Sequence, residues 1–359
     1  MASTVSVAST AARFAQRRDA LIDLRTRLDQ SSQELSTGRK GDVHRALGAN
    51  AVEVHRLRDD AARIEQRKES NAFLSGRLDV TAQSLVGAAG TVQDFLALAI
   101  PNRTGPVPTA SSLRDAARAG YDALVNQLNA SLGGAYLFAG VDTDRPPLVE
   151  WDEPAPLSAQ SPRDVLSAIV GGGFADGADA AAKAAEVAAS FAGTNGAAPD
   201  RNFERSFYVG TPALDGGGLP SERLTASIDR SISLPYGVQA NDPAFRSALQ
   251  GLAMIAAVDP ATVDPDAYSE WVTAGIDAAA AGLAGIRDAQ ARLGGQQAML
   301  DQVIERQEVR GDIYAAQLAR LEGVDPYEAA SRVSALSTQL EASFASTARL
   351  MRLSFLDFM

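Results

Sequence analysis

The side chains best equipped for chemistry are few. The chain has two histidines, His44 and His55, and no cysteine. Without cysteine there are no disulfides, thiolate zinc sites or cysteine nucleophiles. Two histidines are too few for a multi-histidine metal centre and make a histidine-based triad hard to build. On one continuous helix His44 and His55 would share nearly one face but stand about three turns apart, too far for a common ion. Gly48 between them argues against such a helix, and both read as solvated surface residues. Asp142-Thr143-Asp144 spaces two carboxylates as a cation loop does, but no EF-hand pattern follows; a polar turn before Pro146-Pro147 is the better reading. Asp59 and Asp60 among Arg56, Arg58 and Arg63 form a charged helix face. The runs Gly171-Gly172-Gly173 and Gly216-Gly217-Gly218 lack the strand–turn–helix setting of a phosphate cradle and read as turns. The chain has no G-x-x-x-x-G-K-[ST], G-x-S-x-G or H-E-x-x-H pattern. No enzyme activity, metal or cofactor is expected.

Charge and hydropathy narrow the partners. The 359 residues include 33 Lys+Arg and 44 Asp+Glu, a net charge of −11. Residues 1–145 carry +2, residues 146–245 carry −7 and residues 246–359 carry −6. Phosphate-backbone binding needs clustered cations, so nucleic acid is not an expected partner. No run of 18 apolar residues occurs, so no membrane-spanning helix is expected. Met1 to Ser9 lack the basic start and apolar centre of a cleavable signal. A low aromatic share of 6% and abundant alanine favour helices that meet through small side chains.

The elements that would position any site are mostly helical. From Phe14, the apolar positions Leu21, Leu24, Leu28 and Leu35 follow a narrow heptad seam, with Arg17 and Ser31 as gaps. Gly38 ends that helix. A second helix is expected from about Val52 to Ile100, and a third from Ser112, capped with Asp115, to Gly133-Gly134. From Pro146 to about Pro243 long periodicity stops. There Phe203–Val209, Leu224–Ile228 and Ile232–Val238 read as β runs, and Ala178–Ala192 as a helix. Asp242-Pro243, Asp264-Pro265 and Asp325-Pro326 each mark a helix start. Gly294-Gly295, inside the second of these helices, suggests a bend or a close helix contact.

The expected fold is mainly α. A long antiparallel bundle or coiled coil is built from both chain ends, with a small mixed α/β or β domain inserted. The segments are a helical arm at 1–145, the insert at 146–243, and a second arm at 244–359 packing on the first. Such narrow seams bury too little alone, which points to subunit contacts. The apolar ending, with Leu350, Met351, Leu353, Phe355, Leu356, Phe358 and Met359 around the axis, points the same way. The candidate assembly interface is Leu21, Leu24, Leu28 and Leu35 with Leu336, Leu340, Phe344, Met351 and Phe355. Each side chain, once fully buried, would contribute about 1.5–3 kcal/mol.

Several segments also resemble a known family. Leu35-Ser36-Thr37-Gly38-Arg39-Lys40 is similar to the "LS-[ST]-G-[KR]" of the flagellin superfamily. Gly134-Ala135-Tyr136-Leu137-Phe138-Ala139-Gly140, then Thr143-Asp144-Arg145-Pro146-Pro147-Leu148, resembles the flagellar hook-associated protein 3 family. So do Arg292–Gln297 and the ending from Ser331 to Met359, with Leu340-Glu341-Ala342-Ser343 and Leu353–Phe358. The likeness covers about 1–148 and 241–359. Gly41 to Gly48 depart from that family's acidic "S-x-D-D-P" segment and from the "S-A-x-D-D-A-A-G" of flagellin itself. The resemblance implies a non-enzymatic subunit joining hook to filament in the bacterial flagellum, exported through the flagellar type III channel without a cleaved signal. It implies as partners copies of the chain, an adjacent hook-associated protein, flagellin and an export chaperone on the apolar C-terminus. A variable outer domain would occupy the middle. Filament flagellin and a cytoplasmic coiled-coil scaffold are the alternatives.

Overall fold

A computed structural model describes residues 4–103, 110–259 and 263–356. The fold is mainly helical. Its helices are α1 (Thr4–Thr37), α2 (Val43–Leu47), α3 (Ala51–Ala99), α4 (Ala110–Leu128), α5 (Pro162–Val170), α6 (Gly177–Ala192), α7 (Phe203–Ser206), α8 (Pro243–Ala256), α9 (Pro265–Glu322) and α10 (Pro326–Leu356). The described strands form two antiparallel hairpins, β1 (Ser131–Leu132) with β2 (Ala135–Tyr136) and β3 (Thr225–Asp229) with β4 (Ile232–Pro235). Contacts divide the chain into two compact units, 1–66 with 306–359, and 67–305. This division runs through α3 and α9.

In the unit of residues 67–305, helices meet through small residues. α4 and α6 pack on α8. α8 crosses α9 so closely that a methyl added at Gly251 would strike the Gly275 carbonyl and Ala279. One added at Gly282 would strike the Ala248 backbone, and one at Gly285 would lie 2.6 Å from the Ala244 Cβ. These contacts let Leu249, Leu252, Phe245, Ile276, Leu283 and Ile286 bury fully around them. The close helix contact expected at Gly294-Gly295 is absent; an added methyl there meets nothing within 4 Å, and α9 runs on as helix. One 18-residue window in the stretch Arg45–Asn102 is apolar enough on average to cross a membrane. The uninterrupted-run criterion overlooked it. Leu85, Val92, Phe95 and Leu96 of that stretch are buried in this core, and 39% of the window is buried overall.

The insert is tied in by backbone and polar contacts around the Tyr136–Leu148 stretch. The third helix ends at Leu128, short of the expected Gly133-Gly134. Those glycines instead form the two-residue turn of the β1–β2 hairpin, with φ of +61° and +84°. Two positive φ values in succession are what a tight hairpin turn of matching twist requires. Leu137, Phe138 and Ala139 are then buried. The Ala240 N–H donates to the Phe138 carbonyl (2.8 Å), and the Thr211 N–H to that of Ala139 (2.9 Å). The Asn129 amide both donates to the Leu148 carbonyl and accepts from its N–H, each at 2.9 Å. The Tyr208 hydroxyl donates to the Thr211 carbonyl at 3.0 Å. Burial, then the nearby Glu204 carboxylate, pushes that phenol above its ordinary pKa, so it remains a donor.

Inside the insert, one expected strand is wrong. Phe203–Ser206 is a single helical turn. The spacing of four brings Phe203 and Phe207 into a stack at 5.6 Å with Phe191 against both, which an extended chain would prevent. Only the end of that run pairs as expected, with Tyr208 bridging Leu148. Helix α5 was not anticipated, although Ser161-Pro162-Arg163-Asp164 forms a full capping box. The expected cap at Ser112 is absent, because α4 already begins at Ala110. The β3–β4 hairpin carries a bulge at Ile228, which is buried; the Asn71 amide donates to its carbonyl at 3.0 Å.

The packing gives glycine substitutions opposite signs. Gly294→Ala should raise stability by about 0.8–1 kcal/mol through helix propensity. Gly282→Ala should lower it by about 1–3 kcal/mol, because overpacking outweighs the same propensity gain. Chemical denaturation of the two variants against the parent checks this.

Candidate assembly interface

The candidate seam lies in the other unit, residues 1–66 and 306–359. α1 and α10 pack along each other, and the end of α1 sits beside the start of α10, so they run antiparallel. On α10 the covered stripe is Ala329, Val333, Leu336, Leu340, Ser343 and Thr347, alternating steps of four and three. That is a heptad seam whose apolar content runs out beyond Leu340. On α1 the stripe is Leu21, Leu24, Leu28, Ser31 and Glu34.

Of the candidate residues, five share this seam and two do not. Leu21, Leu24, Leu28, Leu336 and Leu340 are half-buried along it. Leu35 is 38% exposed and Phe344 is 56% exposed, both off the seam. A strict seven-residue step placed Leu35 on the stripe. The helix turns 3.6 residues per turn, and Glu34, held by polar contacts, takes the position instead. Phe344 falls one residue past the stripe position Ser343. The side chains of Met351 and Phe355 lie outside the described residues, as does the rest of the apolar ending.

Sequence reasoning missed the polar junction that closes this seam at one end. Gly38, with φ +67°, turns the chain out of α1. Its carbonyl accepts from the Val324 N–H (3.0 Å), while the Lys40 N–H donates to the Glu322 carbonyl (2.8 Å). Lys40 Nζ adds a 3.0 Å bond to the Leu321 carbonyl. The Glu322 side chain, only 3% exposed, accepts from Arg58 Nε at 2.7 Å. Glu34 is also buried; its carboxylate accepts from the Gly41 N–H at 3.0 Å and pairs with Arg332 at 3.5 Å. Two isolated glutamates among helical glutamates carry no spacing signal, so nothing local in the sequence marks them as buried. Gly38 and Lys40 were visible, but only as a helix stop and a family-like motif.

The arrangement is made of helix faces and one polar junction. Among the described residues no group of three or more His, Asp or Glu could hold a metal ion. It offers surface. Besides Leu35 and Phe344, this unit leaves Ile22, Val52, Val309, Ile313 and Tyr327 at least half exposed. Two helices cover only one side of each other's stripe, and here the far side stays in water.

Two family models match the chain. The bacterial flagellin N-terminal helical region matches residues 9–143, and the bacterial flagellin C-terminal helical region matches residues 274–359. Together they span more than half of the chain. No curated protein matches it. Among solved structures, one described as a candidate flagellar hook-associated protein from Vibrio parahaemolyticus has the same fold. The TM-score is 0.51 at 12% identity, over 77% of this chain and 99% of that one.

Half-burial fixes how much the seam contributes to the isolated chain. Leu124→Ala, at a fully buried position of the other unit, should cost about 2–5 kcal/mol. Leu28→Ala and Leu340→Ala should each cost less than half as much. Denaturant titrations of the three variants at low protein concentration decide it.

Proposed function

Because this chain belongs to the bacterial flagellin family, we propose that it is a structural subunit of the flagellum that joins hook to filament. The observation that carries the assembly role is the half-covered α1–α10 seam: Leu21, Leu24, Leu28, Leu336 and Leu340 are aligned but not buried. Copies of the chain, a neighbouring hook-associated protein and flagellin would supply the missing cover. Met351 and Phe355 extend the same interface in this reading, and Leu35 and Phe344 contact neighbours from its flanks. The insert, residues 146–243, takes no part in the seam. The Tyr136–Leu148 motif supports the junction position, and the Vibrio parahaemolyticus protein is described as hook-associated. Export through the flagellar channel without a cleaved signal, with a chaperone on the C-terminal helix, completes the reading. Family membership supports a building role rather than catalysis.

Filament flagellin is the second reading, favoured by the two family models themselves. Electron microscopy of a deletion strain separates them. Hooks that shed filament subunits into the medium indicate the junction; hooks with no filament subunit made indicate flagellin.

Charge distribution shapes how assembly should respond to salt. Residues 1–66 with 306–359 carry +1, whereas residues 67–305 carry −12. The assembling unit is nearly neutral, and the rest of each copy repels its like. Added salt screens that repulsion, with a Debye length of about 10 Å at 0.1 M. Self-association should therefore strengthen between 0.02 and about 0.3 M salt, as light scattering would show. Weakening over that range would mean that ion pairs drive the contact. Leu340→Asp should abolish incorporation into flagella while residues 67–305 keep their thermal transition. Normal filament attachment in that strain would refute the seam.

A further inference from the structure

Burial along the seam is graded. On α1 the fully covered side chains, among those described, are Ser31 and Glu34; on α10 it is Ala329. All three lie within about two turns of the junction between Gly38–Lys40 and Leu321–Val324. Beyond them every seam residue is only half covered. The fully buried part of the seam is thus short, mostly polar and at one end.

We propose that this junction is a clasp that nucleates the α1–α10 pairing within a single chain and sets its register, with Arg58, Glu322 and Glu34 as positioning residues for the assembly seam. Nucleating a helix costs several fixed dihedrals for one hydrogen bond, and each later turn costs less. The clasp meets that cost before any neighbour arrives. It also specifies register. Slipping α1 along α10 by one heptad would break the Gly38–Val324 and Lys40–Glu322 backbone bonds and part Glu34 from Arg332, leaving that buried carboxylate only Gln30 and Gly41 of its own segment. Leucine alone would tolerate that slip. Pairing then proceeds outward from the clasp, and the half-covered turns complete it when neighbouring subunits close over them.

The effect on assembly rests on the subunit role proposed above; the order within the isolated chain does not. Hydrogen exchange read by mass spectrometry on the full chain tests it. The parent should show its strongest α1 and α10 protection in residues 29–36 and 326–333, declining through 15–24 and 340–349. Arg58→Ala should cut protection at the clasp at least tenfold and leave residues 67–305 unchanged. Arg58→Lys, which keeps the cation, should restore most of it. The concentration needed for self-association should rise severalfold in Arg58→Ala, although every seam leucine is intact. Uniform protection along both helices in the parent would overturn the proposal. So would clasp protection unmoved by Arg58→Ala, or its loss together with that of residues 67–305, which would mark a general stability role. A clasp that behaves as expected in a chain that never associates would sink the flagellar reading and leave the clasp standing.

Discussion

Two helices cannot cover each other's apolar stripe completely, and this constraint governs the terminal unit. α1 and α10 bring Leu21, Leu24, Leu28, Leu336 and Leu340 to one line and leave each half in water. A third or fourth surface is needed to finish the burial. Within the chain the pairing is closed only at the clasp, where backbone bonds and two buried glutamates do what apolar area does elsewhere. A buried ion pair adds little net stability, yet removing one partner is costly because it leaves an uncompensated charge.

The other unit solves the same problem in the opposite way. Its helices approach through Gly251, Gly275, Gly282 and Gly285 until backbones touch, and the flanking large side chains close over the contact. Trp271, Tyr121 and Phe138 are fully enclosed, and Trp271 donates to the Met254 carbonyl at 2.8 Å. Such a core closes within the chain, although Phe73, Val86 and Ile100 stay exposed on the surface of the same unit. Charge is also partitioned: residues 1–66 with 306–359 are nearly neutral, and residues 67–305 hold the acidic excess.

Much of the helical plan was legible because its signals are local. Gly38, Asp242-Pro243, Asp264-Pro265 and Asp325-Pro326 each act within one turn of chain, and the helices begin or end where they stand. The hairpin strands at Thr225–Asp229 and Ile232–Pro235 were equally visible from their β-branched and alternating residues. Phe203–Val209 misled because a four-residue aromatic spacing and a β-like composition coincide there. Its conformation was settled by Phe191, a residue of another helix. Of the candidate residues, the leucines spaced by three and four fall on the α1–α10 seam. Leu35 and Phe344 fall beside it, since a one-residue drift of the stripe moves a side chain by about 100° around the axis.

The residues alone determined where most of the long helices lie, that the ends carry narrow apolar seams, and that no cysteine or multi-histidine chemistry is available. These follow from composition and from interactions spanning a few residues. The tertiary structure decided that Glu34 and Glu322 are buried, that α8 and α9 touch through glycine, and that Gly294-Gly295 is a contact-free stretch of helix. Each depends on which distant segment arrives beside it: Arg58 beside Glu322, Ala248 beside Gly282, nothing beside Gly294. A side chain's neighbours along the chain do not reveal its neighbours across space, so burial of a charge becomes visible only once the chain is folded.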